Sequence, residues 1–294
     1  AASEHAEGNR NINICAEKIN SEKYLLELFK YRDSIIKSSH ANTIINNIRN
    51  KVFDECINSA KLDPGLFTLT APTGTGKTLS LLAFALAHCN KWKKRRIFII
   101  LPFLSIIEQN AAQYKEICPD LLEDHSQTEY TESTRLYSDR WNAEIIVTTS
   151  VNFFESLFKS RPPECRRLHN ISDSVIVFDE AQSLPHDLLG ASVETINLLC
   201  SKYNCSVLFS TATQPCFRYR KDLKWEPVEI ISDIENIYKK VKRVNIDWKL
   251  DTPMSYDDIA LDMIKHNSCC TIVNVKRHAV MLFTILKMKL SSPH

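Results

Sequence analysis

The sequence predicts an α/β protein built around a mostly parallel sheet with helices on both faces. Three observations carry that expectation. From residue 66 onward, short apolar runs rich in β-formers alternate with longer segments of helical periodicity. Continuously apolar strands separated by crossover helices are the mark of a parallel sheet covered on both sides. The first run leads straight into Ala71-Pro-Thr-Gly-Thr-Gly-Lys-Thr78, a glycine-bearing turn that opens a helix. A later run ends in the adjacent acids Asp179 and Glu180, and the carboxyl ends of strands are where open α/β sheets bind ligands.

Taken in order, residues 15–32 and 42–60 read as two helices joined by a loop of small polar residues. Strands are expected at 66–70, 97–101, 145–149, 175–178 and 205–209, with helices at 77–90, 103–117, 151–159 and 187–203 between them. Residues 214–253 are polar and irregular, after which helix 255–266, strand 271–275 and helix 277–289 begin a second βα pattern. About forty residues cannot bury a parallel sheet of their own, so this second unit is expected to be truncated. The expected division is an amino-terminal linker and helix over 1–41, a nucleotide-binding domain over 42–225, a linker over 226–254 and the start of a second domain over 255–294.

Composition excludes several classes. Thirty-seven Lys and Arg against thirty-five Asp and Glu leave a net charge of +2, so any nucleic-acid surface must be local rather than a global basic field. The longest apolar stretches, 97–107 and 79–87, fall short of the roughly 20 residues a membrane helix needs, and no membrane partner is expected. The amino end lacks both an initiator Met and a charged-then-apolar signal pattern, and reads as the edge of a longer protein. Ten cysteines are scattered without paired metal-ligand spacing, which favours reduced core thiols in a cytoplasmic protein over a disulfide framework. Only five glycines occur in 294 residues, and Gly74 and Gly76 lie two apart, where backbone geometry or ligand approach requires them.

Those two glycines belong to a phosphate-binding loop in the required strand-to-helix setting. Pro72, Thr73, Gly74, Thr75 and Gly76 form the loop whose backbone N–H groups can approach phosphates, Lys77 neutralises the β and γ oxygens, and the Thr78 hydroxyl can ligate Mg2+. The first glycine of the general pattern is Ala71 here. Asp179 can hold Mg2+ while Glu180 orients and deprotonates the attacking water; the bland alternative is a helix cap at Asp179. An Asn-Lys-x-Asp guanine signature is missing, since Asn90-Lys-Trp-Lys93 lacks the aspartate, so ATP is preferred. Thr211, Ala212 and Thr213 follow the last strand of the first pattern, where small hydroxyl residues can bond the acidic pair and report nucleotide state.

In this order, Thr-Gly-Thr-Gly-Lys-Thr, Asp-Glu-Ala-Gln and Thr-Ala-Thr resemble motifs I, II and III of superfamily 2 helicases. The strings at 69–79, 101–109, 148–158 and 178–185 further resemble the CRISPR-associated helicase-nuclease of type I interference systems. That resemblance spans about residues 42–290 and implies a RecA-like first lobe, ATP-driven translocation on single-stranded DNA, and recruitment by an RNA-guided surveillance complex of the Cascade type. It places Gln182 and, upstream, Arg49 with the nucleotide-binding residues, Arg49 towards the adenine. It places Pro102, Ser105 and Gln109 at motif Ia and Thr148, Thr149 and Ser150 at motif Ib, positions that hold the DNA backbone. Hydroxyls, amides and helix N-termini suit that task because they contact phosphates without reading sequence.

Two features depart from the family. A nuclease domain with clustered His and Asp ligands, fused or in trans, is expected of its members, whereas the only His-Asp step here is His186-Asp187. The second lobe matches only at its opening strand, without later motifs or the arginine that completes hydrolysis. The alternatives that stay open are another superfamily 2 motor on DNA or RNA, and a module that binds ATP and nucleic acid without independent turnover.

Overall fold

Strict side-chain alternation along buried strands sorts this chain into two packed layers. The computed structural model describes residues 18–38, 43–126, 128, 138, 140–158, 167–184, 188–212, 223–248, 250 and 253–291. It divides into two units, Ala1–Lys242 and Arg243–His294.

In the first unit, helices α1 (Ser21–Ser38) and α2 (Thr43–Ser59) precede β1 (Leu66–Thr70), α3 (Lys77–Trp92), β2 (Arg96–Leu101) and α4 (Leu104–Lys115). Then follow β3 (Leu122–Asp124), β4 (Ile145–Thr149), α5 (Ser150–Phe158), α6 (Leu168–Ile171), β5 (Ser174–Phe178) and α7 (Leu189–Lys202). Strands β6 (Ser206–Thr211) and β7 (Val228–Glu229) and helix α8 (Ile234–Val241) complete it. Among the described residues seven strands form one sheet in the order β3-β4-β2-β5-β6-β1-β7, and every pairing is parallel.

Successive strand residues point to opposite faces. Accordingly Ile97, Ile99 and Leu101 of β2, Val175 and Val177 of β5 and Phe67 and Leu69 of β1 join the core under α1, α2, α3 and α4. Phe98, Ile100, Ile176, Phe178, Val207 and Phe209 join the core under α5 and α7. Burial on both faces explains why these strands read as unbroken apolar runs rather than as alternating ones. Cys56, Cys89, Cys118 and Cys205 are buried free thiols within these layers. Among the described residues no helix is long and apolar enough to cross a membrane.

Three expectations change. Helix α1 is part of the first unit rather than a linker element: Tyr24 and Leu28 lie in the core beside α3. Residues 226–242, expected as linker, also belong here. Strand β7 pairs with β1, and the Glu229 carboxylate accepts from Thr70 N at 3.0 Å and Thr70 Oγ1 at 2.7 Å, while α8 buries Ile237. A two-residue strand has no periodicity to read, so nothing in the sequence marked it.

The second unit carries helices α9 (Tyr256–Ile264) and α10 (Lys276–Ser291), packed on each other. Helix α9 begins at a reciprocal cap between Ser255 and Asp258, and Lys289 Nζ lies 3.1 Å from Asp257 Oδ1. The strand expected at 271–275 does not form: the segment is irregular and Ile272 is 92% exposed. A strand depends on a neighbour for its backbone hydrogen bonds, and the described residues of this unit supply none.

Candidate nucleotide and nucleic-acid sites

Strand order brings the three expected motifs together. The phosphate loop follows β1, the acidic pair follows β5 and the Thr-Ala segment follows β6, and β5, β6 and β1 are neighbours in the sheet. All three therefore meet at one carboxyl edge, where ligands bind in this class of fold.

Ala71 is fully buried and donates its N–H to Thr211 O at 3.2 Å, so the loop leaves the sheet in register. Its small Cβ sits inside the protein, which is why the missing first glycine is tolerated. Gly74 and Gly76 have φ of 83° and 78°, a region that side chains rarely adopt. Gly76 is the residue before α3, whose first turn leaves N–H groups free of intrahelical partners. A Cβ on Gly76 would also stand 3.5 Å from Arg49 Cγ. Thr75 Oγ1 closes the loop on Pro72 O at 2.7 Å, Thr73 is exposed and Thr78 is half-buried in the first turn of α3. The Arg49 Nε donates to Gly74 O at 3.1 Å, which braces the loop from α2.

Lys77 heads α3 and is 8% exposed, yet among the described residues its ammonium finds no hydrogen-bond partner. The nearest anion is Glu180 Oε1 at 3.6 Å, beyond good hydrogen-bonding range. A buried, unsatisfied ammonium is costly, and its position at the mouth of a phosphate loop fits an anionic ligand.

Asp179 is held in register by its N–H to Ile100 O at 2.9 Å. Burial raises its carboxyl above the ordinary range; the Ser210 hydroxyl, donating to Oδ1 at 2.9 Å, and the Lys77 charge oppose that shift, while Glu180 adds to it. Glu180 sits at φ 51°, a left-handed conformation in a residue other than glycine, which turns its carboxylate back towards Lys77. From there a polar relay runs across the strand ends. Gln182 Nε2 donates to Glu180 Oε2 at 2.6 Å and Thr211 Oγ1 donates to Gln182 Oε1 at 2.8 Å. The Tyr238 hydroxyl of α8 then donates to Ala212 O. Thr213, His186 and Asp187 lie outside the described residues. Beside the loop, a recess is lined by Arg32, Asn46, Arg49, Phe53, Gly76 and Leu79, with the Arg32 guanidinium 4.1 Å above the Phe53 ring.

A second site opens at the carboxyl ends of β2, β3 and β4, a cleft of about 1010 Å3 bordered by Pro102, Phe103, Asp124, Thr149, Asn152 and Arg167. Pro102 and Thr149 therefore lie together at its border. Ser105 lies in the first turn of α4 and Ser150 opens α5, while Gln109 is exposed farther along α4. Thr148 is corrected. Its side chain is fully buried and its hydroxyl donates to Asp124 O at 2.7 Å, so it ties β4 to β3 instead of meeting a ligand. The motif pattern passed over Phe103, which is 60% exposed at the cleft, and over Asp124, Asn152 and Arg167.

The fold and the first site define the class, a RecA-like domain with a P-loop nucleotide site. Residues 43–221 match the DEAD/DEAH box helicase family, and the chain belongs to it. Helicase function is what that membership supports. The chain is similar to the CRISPR-associated nuclease/helicase Cas3 of Haloferax volcanii, with 28% identity over 184 residues, 52% of this chain and 19% of that protein. It is also similar in fold to the T. fusca Cas3-ATP crystal structure, with 17% identity, a TM-score of 0.50, and coverage of 69% of this chain and 23% of that one. The chain thus spans about a fifth of the length of the curated relative it matches.

Proposed function

We propose that this chain is the ATP-dependent, single-stranded-DNA-translocating motor portion of a cytoplasmic CRISPR type I helicase-nuclease. The observation that carries the reading is the unsatisfied Lys77 ammonium, buried 3.6 Å from Glu180 at the mouth of the loop. In this reading the first-turn amides of α3 and Lys77 bind the triphosphate, and Glu180 orients the attacking water, with Gln182 fixing its carboxylate. Thr78 and Asp179 would hold Mg2+, which supplies charge neutralisation at the phosphates when bound. Ionisation of Asp179, opposed by burial, becomes favourable beside a cation. The Gln182–Thr211 hydrogen bond couples the acidic pair to the Thr-Ala segment.

The cleft would take the DNA backbone, with Pro102, Thr149 and the amino end of α5 towards phosphates and the exposed Phe103 ring offering a stacking face. The family likeness supports partners that include a Cascade-type surveillance complex and a nuclease domain, fused or separate. It also supports reading Arg243–His294 as the opening of a second RecA-like lobe.

Titration of fluorescent ATP with Mg2+, together with anisotropy of labelled oligo-dT and oligo-U, tests this reading. Nucleotide binding dependent on Lys77 and tighter binding of dT than of U are expected. Absence of nucleotide binding at millimolar ligand would overturn the ATPase assignment, and preference for oligo-U would favour an RNA motor of the same superfamily.

A further inference from the structure

We propose that Asp124 is a positioning residue for nucleic-acid binding: its buried carboxylate, bound to Asn152 and Arg167, sets the first turn of α5 against the cleft. The inference rests on the reading of that cleft as the seat of a nucleic-acid backbone.

Asp124 ends β3 and is 4% exposed. Burying a carboxylate is unfavourable unless donors and an opposite charge surround it, and here they come from separate stretches of chain. Ser138 Oγ donates to Oδ1 at 2.6 Å, while Trp141 Nε1 donates to Oδ2 at 2.5 Å. Asn152 Nδ2 donates to Oδ2 at 2.9 Å. Arg167 Nη1 completes an ion pair at 3.0 Å and also donates to Asn152 Oδ1 at 3.0 Å and Ser156 Oγ at 3.2 Å, with its guanidinium 4.6 Å from the Trp141 ring centroid.

Asn152 is the joint of this assembly. Its amide nitrogen also reaches Asp124 O and Thr148 Oγ1, and its backbone N–H donates to Thr149 Oγ1 at 3.1 Å. Asp124 thereby anchors the Asn152 side chain in the first turn of α5, and the backbone N–H of that same residue holds the hydroxyl of Thr149, which borders the cleft. Asp124 borders the cleft as well, and a carboxylate there repels a phosphodiester backbone. Charge alone therefore makes Asp124 a poor neighbour for DNA. Its contribution must come through the groups it holds.

That opposition of sign makes the test decisive. Asp124→Asn removes a negative charge, so a purely electrostatic role predicts tighter binding of oligo-dT, whereas positioning predicts binding about tenfold weaker at fixed salt. Positioning also predicts that the slope of log affinity against log salt shrinks by about 0.7 for each phosphate the protein no longer neutralises. Affinity for Mg2+-ATP, bound at the other site, should stay within about twofold. Unchanged or tighter oligo-dT binding overturns the proposal. If wild type itself fails to bind oligo-dT, the cleft assignment falls instead.

Should Asp124→Asn lose nucleotide binding or melt, Trp141→Phe decides. The Trp141 ring is fully buried and cannot touch DNA, and the exchange removes one donor to Asp124 while keeping an aromatic core. It should weaken oligo-dT binding about threefold with nucleotide affinity unchanged. Equal oligo-dT binding in Trp141→Phe and wild type would overturn the proposal.

Discussion

Replacing Lys77 by Met separates the stability of the loop from its ligand affinity. The ammonium faces Glu180 Oε1 at 3.6 Å, and at an effective dielectric of about 20 that attraction amounts to about 4–5 kcal/mol. Burying an ammonium costs several kcal/mol in return, and here no hydrogen bond offsets it. The two contributions nearly cancel, so the unliganded Lys77→Met protein should keep its stability within about 1 kcal/mol, a melting shift of about 2–4 °C. Nucleotide binding should respond differently. Removing a buried charge that hydrogen-bonds its ligand costs about 2–5 kcal/mol, which is about 30-fold to 4,000-fold in Kd. Scanning fluorimetry with and without Mg2+-AMPPNP reads both quantities, because ligand stabilisation follows the ratio of concentration to Kd. Glu180→Gln serves as the control, and its affinity should stay within about threefold if, as proposed, Glu180 positions water rather than binding phosphate. The reasoning fails if Lys77→Met retains the nucleotide-induced shift, or if it melts far below wild type without ligand.

Asp179→Asn should raise the melting temperature of the unliganded protein at neutral pH. Burial lifts the Asp179 pKa in the folded chain, so the stability linked to this group is fullest below its unfolded value and declines as pH rises through the folded one. The advantage of the variant should therefore vanish in acid, near the ordinary value of 3.8, which a pH series of melts checks. Thr211→Val removes the hydroxyl bound to Gln182 and should cost about 1 kcal/mol by denaturant titration, while nucleotide affinity should persist. Phe103→Ala should weaken oligo-dT binding at least about fivefold if the ring stacks on a base, with melting unchanged because the ring is 60% exposed.

Much of the layered fold was legible because its strands are unbroken apolar runs. Residues 66–70 and 145–149 were placed to the residue, and the helix opened by Lys77 began where the glycines end. Other features were hidden for physical reasons. Strand β7 has two residues, and its attachment depends on the side chain of Glu229, 159 positions from its partner Thr70. Thr148 and Thr149 are identical neighbours that alternation sends to opposite faces of a sheet covered on both, so the strand pattern alone offers no sign that Thr148 is buried while Thr149 borders the cleft. The Asp124 assembly draws donors from positions 138, 141, 152 and 167, a spacing that matches no local pattern. At 271–275 the β-forming residues were real, but a strand is a property of a pair.

The docking of α1 bears on where this protein can be cut. The family match begins at residue 43, yet Tyr24 and Leu28, at 3% and 0% exposure, pack with Leu81 and Phe84 of α3 in one core. Arg32 reaches from α1 to Asn50 and Asp54 of α2. A chain started at residue 43 would shed three buried apolar side chains, Ile19, Tyr24 and Leu28, the aliphatic ones worth roughly 1.5–3 kcal/mol each, and bare the flank of the helix whose first residue is Lys77. Recombinant versions trimmed to the family boundary should aggregate or lose nucleotide, while those begun ahead of Ile19 keep the loop's support.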